Sequence, residues 1–433
     1  METIQKIQDK KINAKLFPIY KMFSWDLLFY YSIIYLFLTQ AKNFSASKVL
    51  LAESFFTASC LLLQIPIGLL VDKIGKKNSL VFANICMCVF STILIFLNNY
   101  SMLLLANFID AIGYVIKGVC ETNILYDSLP SGEKRGTLYS SIDGVGAARY
   151  YIIDAITSII AGITFAINPY IPIVLCLIVN IIALILSTRF KHTQSKREEE
   201  YSKESAKKYF SELKEAIRFT FNSKRMLCLM LFFGLMSGLT YNLSTYRSNI
   251  LHSINIPAQY FGVIFAIIQV MAGICSKCQG WLHRRFKNNT LSVLGIPYVV
   301  LCFVIGCLVD SFGKGASNIV VMLFILQGAI KGAYNVLIYR YLNNFTNRKI
   351  RVKLATIRNM FFNTISIFIS LLGSFLFKVT TSGNTFLIVG GICTVCMVLL
   401  LDYMRGKVGL KPEKYNKEDL KYSSFNEGGN LKW

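Results

Sequence analysis

Residues Gly68-Leu69-Leu70-Val71-Asp72-Lys73-Ile74-Gly75-Lys76-Lys77 lie between two apolar runs, 47–71 and 79–97. Each run is long enough to cross about 30 Å of hydrocarbon as a helix. The two glycines permit a tight turn, Asp72 can cap or pair with a neighbouring helix end, and Lys73, Lys76 and Lys77 fall at headgroup level. A basic turn between two apolar helices is the form expected where a chain re-enters a bilayer from the cytoplasm.

About twelve windows of roughly 20 residues have the same apolar character, near 24–41, 47–71, 79–97, 102–125, 141–166, 170–189, 226–246, 258–279, 291–309, 317–341, 353–377 and 384–404. Of the 433 residues, 54% are hydrophobic and 16% charged, and the mean hydropathy is +0.50, which leaves too little polar material for a water-soluble surface. A net charge of +23 would suit a nucleic-acid partner in a soluble chain. Here the cations gather in alternate loops, at Lys73, Lys76 and Lys77, at Arg284, Arg285 and Lys287, and at Arg348, Lys349 and Arg351, while loops 98–101 and 168–171 carry none. This positive-inside pattern predicts a multi-pass protein of the cell's inner membrane with both termini cytoplasmic, in contact with lipid and not with nucleic acid.

The first 23 residues are lysine-rich and no small-residue cleavage site follows the first apolar run, so that run is expected to stay as an anchor. Nearly all of the twelve cysteines sit within apolar runs, where buried, reduced thiols are expected. Cys275 and Cys278, and Cys393 and Cys396, have metal-site spacing but lie in apolar helices of a chain with only three histidines, so neither a metal nor a cofactor is expected. No complete phosphate-loop, zincin or nucleophile-elbow motif is present, which argues against ATP-driven pumping and against an enzyme.

Six spans precede residue 190 and six follow residue 225. The expected organisation is a cytoplasmic segment 1–23, a first six-helix bundle 24–190, a cytoplasmic linker 191–225, a second bundle 226–404 and a cytoplasmic tail 405–433. In the linker, Tyr209, Phe210, Leu213, Ile217 and Phe221 fall near helical spacing against Lys207, Lys208, Lys214 and Arg218. That pattern fits an interfacial amphipathic helix or an ordinary solvated one. Lys117-Gly118 followed by Leu125-Tyr126-Asp127 recurs as Lys331-Gly332 followed by Ile338-Tyr339-Arg340, half a chain later, as expected of duplicated halves.

The loop 68–77 resembles the signature of the major facilitator superfamily, G-x-L-(small or apolar)-D-(R/K)-x-G-(R/K)-(R/K), at the place where that family keeps it. Gln64-Ile65-Pro66-Ile67-Gly68 is similar to the E-I-P-T-G variant of a bacterial drug- and macrolide-efflux branch, and residues 121–127 and 341–347 also resemble that branch. The resemblance implies an all-α membrane fold of 12 transmembrane helices in two pseudo-symmetric six-helix bundles. It also implies that Gly68, Asp72, Lys73, Gly75, Lys76 and Lys77 form a conformational-switch motif in which Asp72 helps latch the halves. Two departures are that Gln64 stands where the branch has a carboxylate, and that span five, with Gly144, Gly146 and Gly162, lacks the Gly-Pro pair of drug/proton antiporters.

A charge at the centre of a span costs about 2.5 to 3.5 kcal/mol on insertion scales, so ionisable residues there mark a pathway or a partner. Asp110, Lys117 and Glu121 in span four lie within roughly 40° of one another around the helix. Lys117 and Glu121 could pair across one turn, with Arg149 and Asp154 of span five as further partners. Glu53, Thr57, Cys60 and Gln64 align in span two, as do Gln327, Lys331, Tyr334 and Asn335 in span ten. With Asp26 in span one, the expected substrate and proton pathway is Asp26, Glu53, Asp110, Lys117, Glu121, Arg149, Asp154, Lys331 and Asn335; a buried structural charge network is the alternative.

These readings predict a monomeric secondary transporter working by alternating access, exporting a small lipophilic or cationic compound against protons. The rival readings are import of an anionic nutrient or metabolite, favoured by Lys117, Arg149 and Lys331, and a membrane sensor or scaffold that moves nothing.

Overall fold

The computed structural model describes residues 2–130, 135–192, 202–286, 289–344 and 351–407. The calls on the tail beyond 407, on Arg348 and Lys349, and on Lys287 lie outside them. The elements are all helical: α1 (Glu2–Ser24), α2 (Ile34–Leu36), α3 (Ala46–Ile74), α4 (Lys76–Ile95), α5 (Tyr100–Ser128), α6 (Arg135–Ile167), α7 (Tyr170–Thr188), α8 (Ser202–Asn222), α9 (Lys224–Ser253), α10 (Ala258–Lys277), α11 (Gln279–Phe286), α12 (Thr290–Phe312), α13 (Ser317–Asn344), α14 (Arg351–Val379) and α15 (Ser382–Lys407). Among the described residues, ten stretches are long and apolar enough to cross a membrane, and one of them, Thr290–Asn335, holds α12 and most of α13. Exposed Ile152, Ile156, Ile163 and Ile167 along α6, and Val395 and Leu399 on α15, give these helices apolar outer faces suited to lipid.

The first crossing accounts for the remaining span and differs from the continuous helix expected over 24–41. Helix α1 stops at Ser24, residues 25–33 are turns, and α2 is followed by a π turn over Phe37–Ala41. Asp26 supplies a local cause, because its carboxylate accepts from the Leu27 amide at 2.9 Å and from the Tyr31 hydroxyl at 2.7 Å. A side chain bonded to nearby backbone in this way competes with the helical ladder. Phe29 then takes φ 62°, a left-handed conformation that turns the chain. Upstream, α1 lies along α6, α7 and α5 with Asn13, Phe17, Tyr20 and Lys21 buried.

The chain forms two compact units. The first comprises Met1–Ser45, Phe55–Ala206 and Pro257–Ala266; the second comprises Ala46–Ser54, Lys207–Ile256 and Ile267–Trp433. Within the first, α4 packs along α5 and α7, and α1 along α6; within the second, α12 packs along α15 and α9 along α14. Each unit therefore takes the opening residues of one helix, α3 or α10, whose remainder belongs to the other unit. Helix α8 is present over the linker, with Leu213, Ala216 and Phe219 buried and Ile217 and Phe221 exposed. All twelve cysteines are free thiols, Cys278 and Cys396 being exposed.

Candidate functional site

Of residues 68–77, those up to Ile74 continue α3, so Gly68 is helical and the turn falls on Gly75 alone; it has φ 89°, a backbone conformation that side chains rarely adopt, and α4 starts at the next residue. That turn brings Lys76 Nζ to 2.5 Å from Asp127 Oδ2 near the end of α5. Gly68 is buried, Lys73 is exposed and Lys77 half-buried, while the Asp72 side chain lies outside the described residues.

In the first unit, polar groups converge on the end of α1. The Ser24 carbonyl, freed by the break, accepts a hydrogen bond from Lys117 Nζ of α5, and the Ser24 hydroxyl donates to Glu121 Oε1 at 3.3 Å. A lysine at a helix C-terminus meets the negative end of the helix dipole. One turn earlier, Lys21 Nζ lies 2.5 Å from Asp143 of α6 and 4.3 Å from the Trp25 ring centroid. Trp25 packs edge-on against Tyr150 at 5.1 Å and Tyr151 at 5.2 Å, and Tyr20 accepts from Asn84 at 3.0 Å. Asp110 is buried, with Asp26 and Lys117 within electrostatic reach.

Asp26 of the first span shares one neighbourhood with Asp110, Lys117 and Glu121 of α5. The pairing differs from the one-turn ion pair considered above, because the Ser24 carbonyl takes the ammonium of Lys117. Asp154 is buried beside Tyr150, whereas Arg149 points away on the exposed side of α6. Lys21 and Asp143 were not among the sequence candidates; the run of lysines at the N-terminus gave no sign that one of them would be buried.

In the second unit, Glu53 of the Ala46–Ser54 segment accepts from the Thr245 hydroxyl of α9, and its Oε2 is shielded from solvent. Asn242 donates to Ser366 Oγ at 2.9 Å and accepts from Ser370 Oγ, tying α9 to α14. Tyr298 bonds Thr240 at 2.8 Å, and Gln327 donates to the Tyr298 carbonyl at 3.2 Å. Of the stripe on α13, Gln327 and Tyr334 are fully buried while Lys331 and Asn335 are half-buried. Arg247, buried with its guanidinium 5.3 Å from the Phe324 ring centroid, is a charged residue that the span boundary at 246 had excluded; α9 runs on to Ser253.

Several solved structures share this fold. The nucleoside transporter NupG aligns with TM-score 0.66 over 93% of this chain and 99% of its own, at 13% identity. A D-xylose-proton symporter aligns with TM-score 0.65 over 91% and 96%, at 12% identity. A POT family transporter bound to 5-aminolevulinic acid aligns with TM-score 0.64 over 92% and 95%, at 13% identity. In sequence, the MFS-type transporter YxaM of Bacillus subtilis (strain 168), itself uncharacterized, is 22% identical over 303 residues, 70% of either chain. The Major Facilitator Superfamily profile matches residues 16–325 and 299–425. Taken with the helical architecture, the match shows that this multi-pass membrane protein belongs to the Major Facilitator Superfamily of transporters.

Proposed function

We propose that this secondary transporter exports a small lipophilic cation in exchange for protons, using the halves 24–190 and 226–404 joined by 191–225 and oriented with both termini cytoplasmic. The observation that carries the reading is the break in the first crossing, where Asp26 and Glu121 stand among Trp25, Tyr30, Tyr31 and Tyr150. Carboxylates beside aromatic rings suit a cation whose charge and apolar body both need partners. The bond from Lys117 to the Ser24 carbonyl supports this reading, since a cation there meets a carbonyl at a helix end with Glu121 one turn along α5. In this reading the loop 68–77 serves as the conformational switch, with Asp72 as its latch and Lys76 held by Asp127.

The test is ethidium flux in proteoliposomes under an imposed pH gradient. The gradient should accelerate wild-type flux, and Glu121→Gln and Asp110→Asn should each lower it about tenfold or more, equivalent to about 1.4 kcal/mol. Flux that ignores both substitutions and the collapse of the gradient rejects the proposal. Buried Lys117 and Arg247 favour a second reading, import of an organic or phosphorylated anion, which labelled-anion accumulation would reveal. A sensor would bind ligand and give no flux in either assay.

A further inference from the structure

A lysine near the end of α1 already occupies the kind of site that an exported cation would need. Lys21 is buried, and its ammonium lies 2.5 Å from Asp143 Oδ1 of α6 and 4.3 Å from the centroid of the Trp25 ring. Trp25 meets Tyr150 and Tyr151 edge-on, and those two rings meet one another at 5.7 Å. Lys21 is also within electrostatic reach of Glu121. One positive charge is thus held by a carboxylate and an aromatic ring, and every group involved belongs to the first unit.

Two features set this arrangement apart from a plain ion pair between helices. The lysine stem passes over Gly146, where an added Cβ would come 3.0 Å from Lys21 Cδ and 3.1 Å from Lys21 Cβ, so α6 is pared back to let it lie flat. The site is also open on one side. The Asp143 side chain is 30% exposed against 7% for Lys21, and Tyr151 is exposed. A solute can therefore reach the carboxylate and the rings, and the ammonium has water to swing toward.

Drawing the lysine out alone would leave a half-buried carboxylate without its counter-charge, which is unfavourable. Replacing it by another cation keeps the charge of the site constant. Hydration then decides between the two cations. A lysine ammonium is a compact, strongly hydrated charge and regains its water shell on leaving. A cation wrapped in apolar groups has little such shell to lose, and it gains both apolar burial and the ring contact on entering. The exchange favours lipophilic monocations over metal ions and small ammonium ions, and a neutral compound of the same shape cannot drive it.

Resting on the cation-export reading above, we propose that Lys21 is a resident cation, filling the Asp143–Trp25 site of the empty transporter until a lipophilic monocation displaces it. The substrate takes the place of the ammonium on Trp25 and beside Asp143, and Lys21 turns out to water.

The experiment uses the full chain with tetraphenylphosphonium as the probe and triphenylphosphine oxide as a neutral compound of similar bulk. Brief acetylation of amines, counted by mass spectrometry, reports how open Lys21 is, with exposed Lys11 and Lys15 of the same helix as reference. Saturating tetraphenylphosphonium should raise Lys21 acetylation about fivefold against that reference, and the neutral compound should leave it unchanged. In equilibrium dialysis, Lys21→Met should bind the cation about tenfold more tightly than the natural chain, and Lys21→Arg should restore the weaker binding. Trp281→Phe with Trp433→Phe leaves Trp25 as the sole tryptophan, whose emission should change over the same titration. Lys21 acetylation that ignores bound tetraphenylphosphonium overturns the inference, as does a folded Lys21→Met that binds no more tightly. Should Lys21→Met not fold, acetylation of the natural chain decides alone. If Lys21 stays closed while ethidium flux still follows the pH gradient, cation export stands and its site lies elsewhere; if the probe does not bind and flux ignores the gradient, both fall.

Discussion

Replacing Gly162 by alanine tests how closely α6 packs against α10. A Cβ at that position would lie 2.9 Å from the Gln259 carbonyl oxygen, 3.0 Å from Gly262 N and 3.2 Å from Gly262 Cα. All three are backbone atoms and none can rotate away. Ordinary contact begins at 3.4 Å, so α10 would have to retreat by about 0.5 Å. One added methyl in a packed interface of this kind costs about 1 to 3 kcal/mol. Alanine's advantage over glycine in helix propensity offsets little of that, because a membrane-inserted chain is already helical before its helices pack. Gly144 in the same helix is the control, with nothing within 4 Å of its would-be Cβ. Thermal unfolding in detergent can be followed by a thiol-reactive dye as buried Cys176, Cys302 and Cys393 become accessible. Gly162→Ala should lower Tm by roughly 2 to 4 °C per kcal/mol lost, and Gly144→Ala should leave it within about a degree. Equal midpoints for the two variants would refute the packing argument.

Asn242→Leu should cost about 1 to 2 kcal/mol in the same assay, since it removes the bonds to Ser366 and Ser370 at roughly 0.6 kcal/mol each and leaves two buried hydroxyls to find other partners. The Lys76 and Asp127 side chains are 22% and 32% exposed, so a double-mutant cycle with Lys76→Ala and Asp127→Ala should show a stability coupling below about 1 kcal/mol. Lys117→Met should reduce ethidium flux several-fold more than Arg149→Gln, because the Ser24 carbonyl loses its donor in the first case while Arg149 is exposed; equal effects would remove Lys117 from the pathway.

The twelve apolar windows and the phase of Asp110, Lys117 and Glu121 were legible because both rest on local periodicity, which lipid and bundle packing enforce along the whole helix. The break after Ser24 was not. Residues 25–33 contain neither glycine nor proline, and the interruption comes from one carboxylate bonding its neighbour's amide and a tyrosine five residues on. Arg247 was missed because hydropathy ends a span at its first charge, whereas a guanidinium stacked on Phe324 lets the helix continue. On the linker stripe Leu213 is buried while Ile217 and Phe221 lie on the outside, where an interfacial helix would meet lipid. Where the opening residues of α3 and α10 seat depends on which residues of distant helices come together, and periodicity within one helix carries no record of that.

The way α3 and α10 are shared bears on how this chain could be divided. A gene cut within the linker would yield one polypeptide lacking the ten residues Pro257–Ala266 and another lacking the nine residues Ala46–Ser54, each exposing a glycine-lined groove in its fifth crossing. Neither fragment would be a finished module, and co-expression would restore function only by letting each supply the other's missing piece. Recombination between relatives meets the same constraint, since a chimera joined at the linker inherits two mismatched sockets unless residues 46–54 and 257–266 are exchanged along with the opposite half.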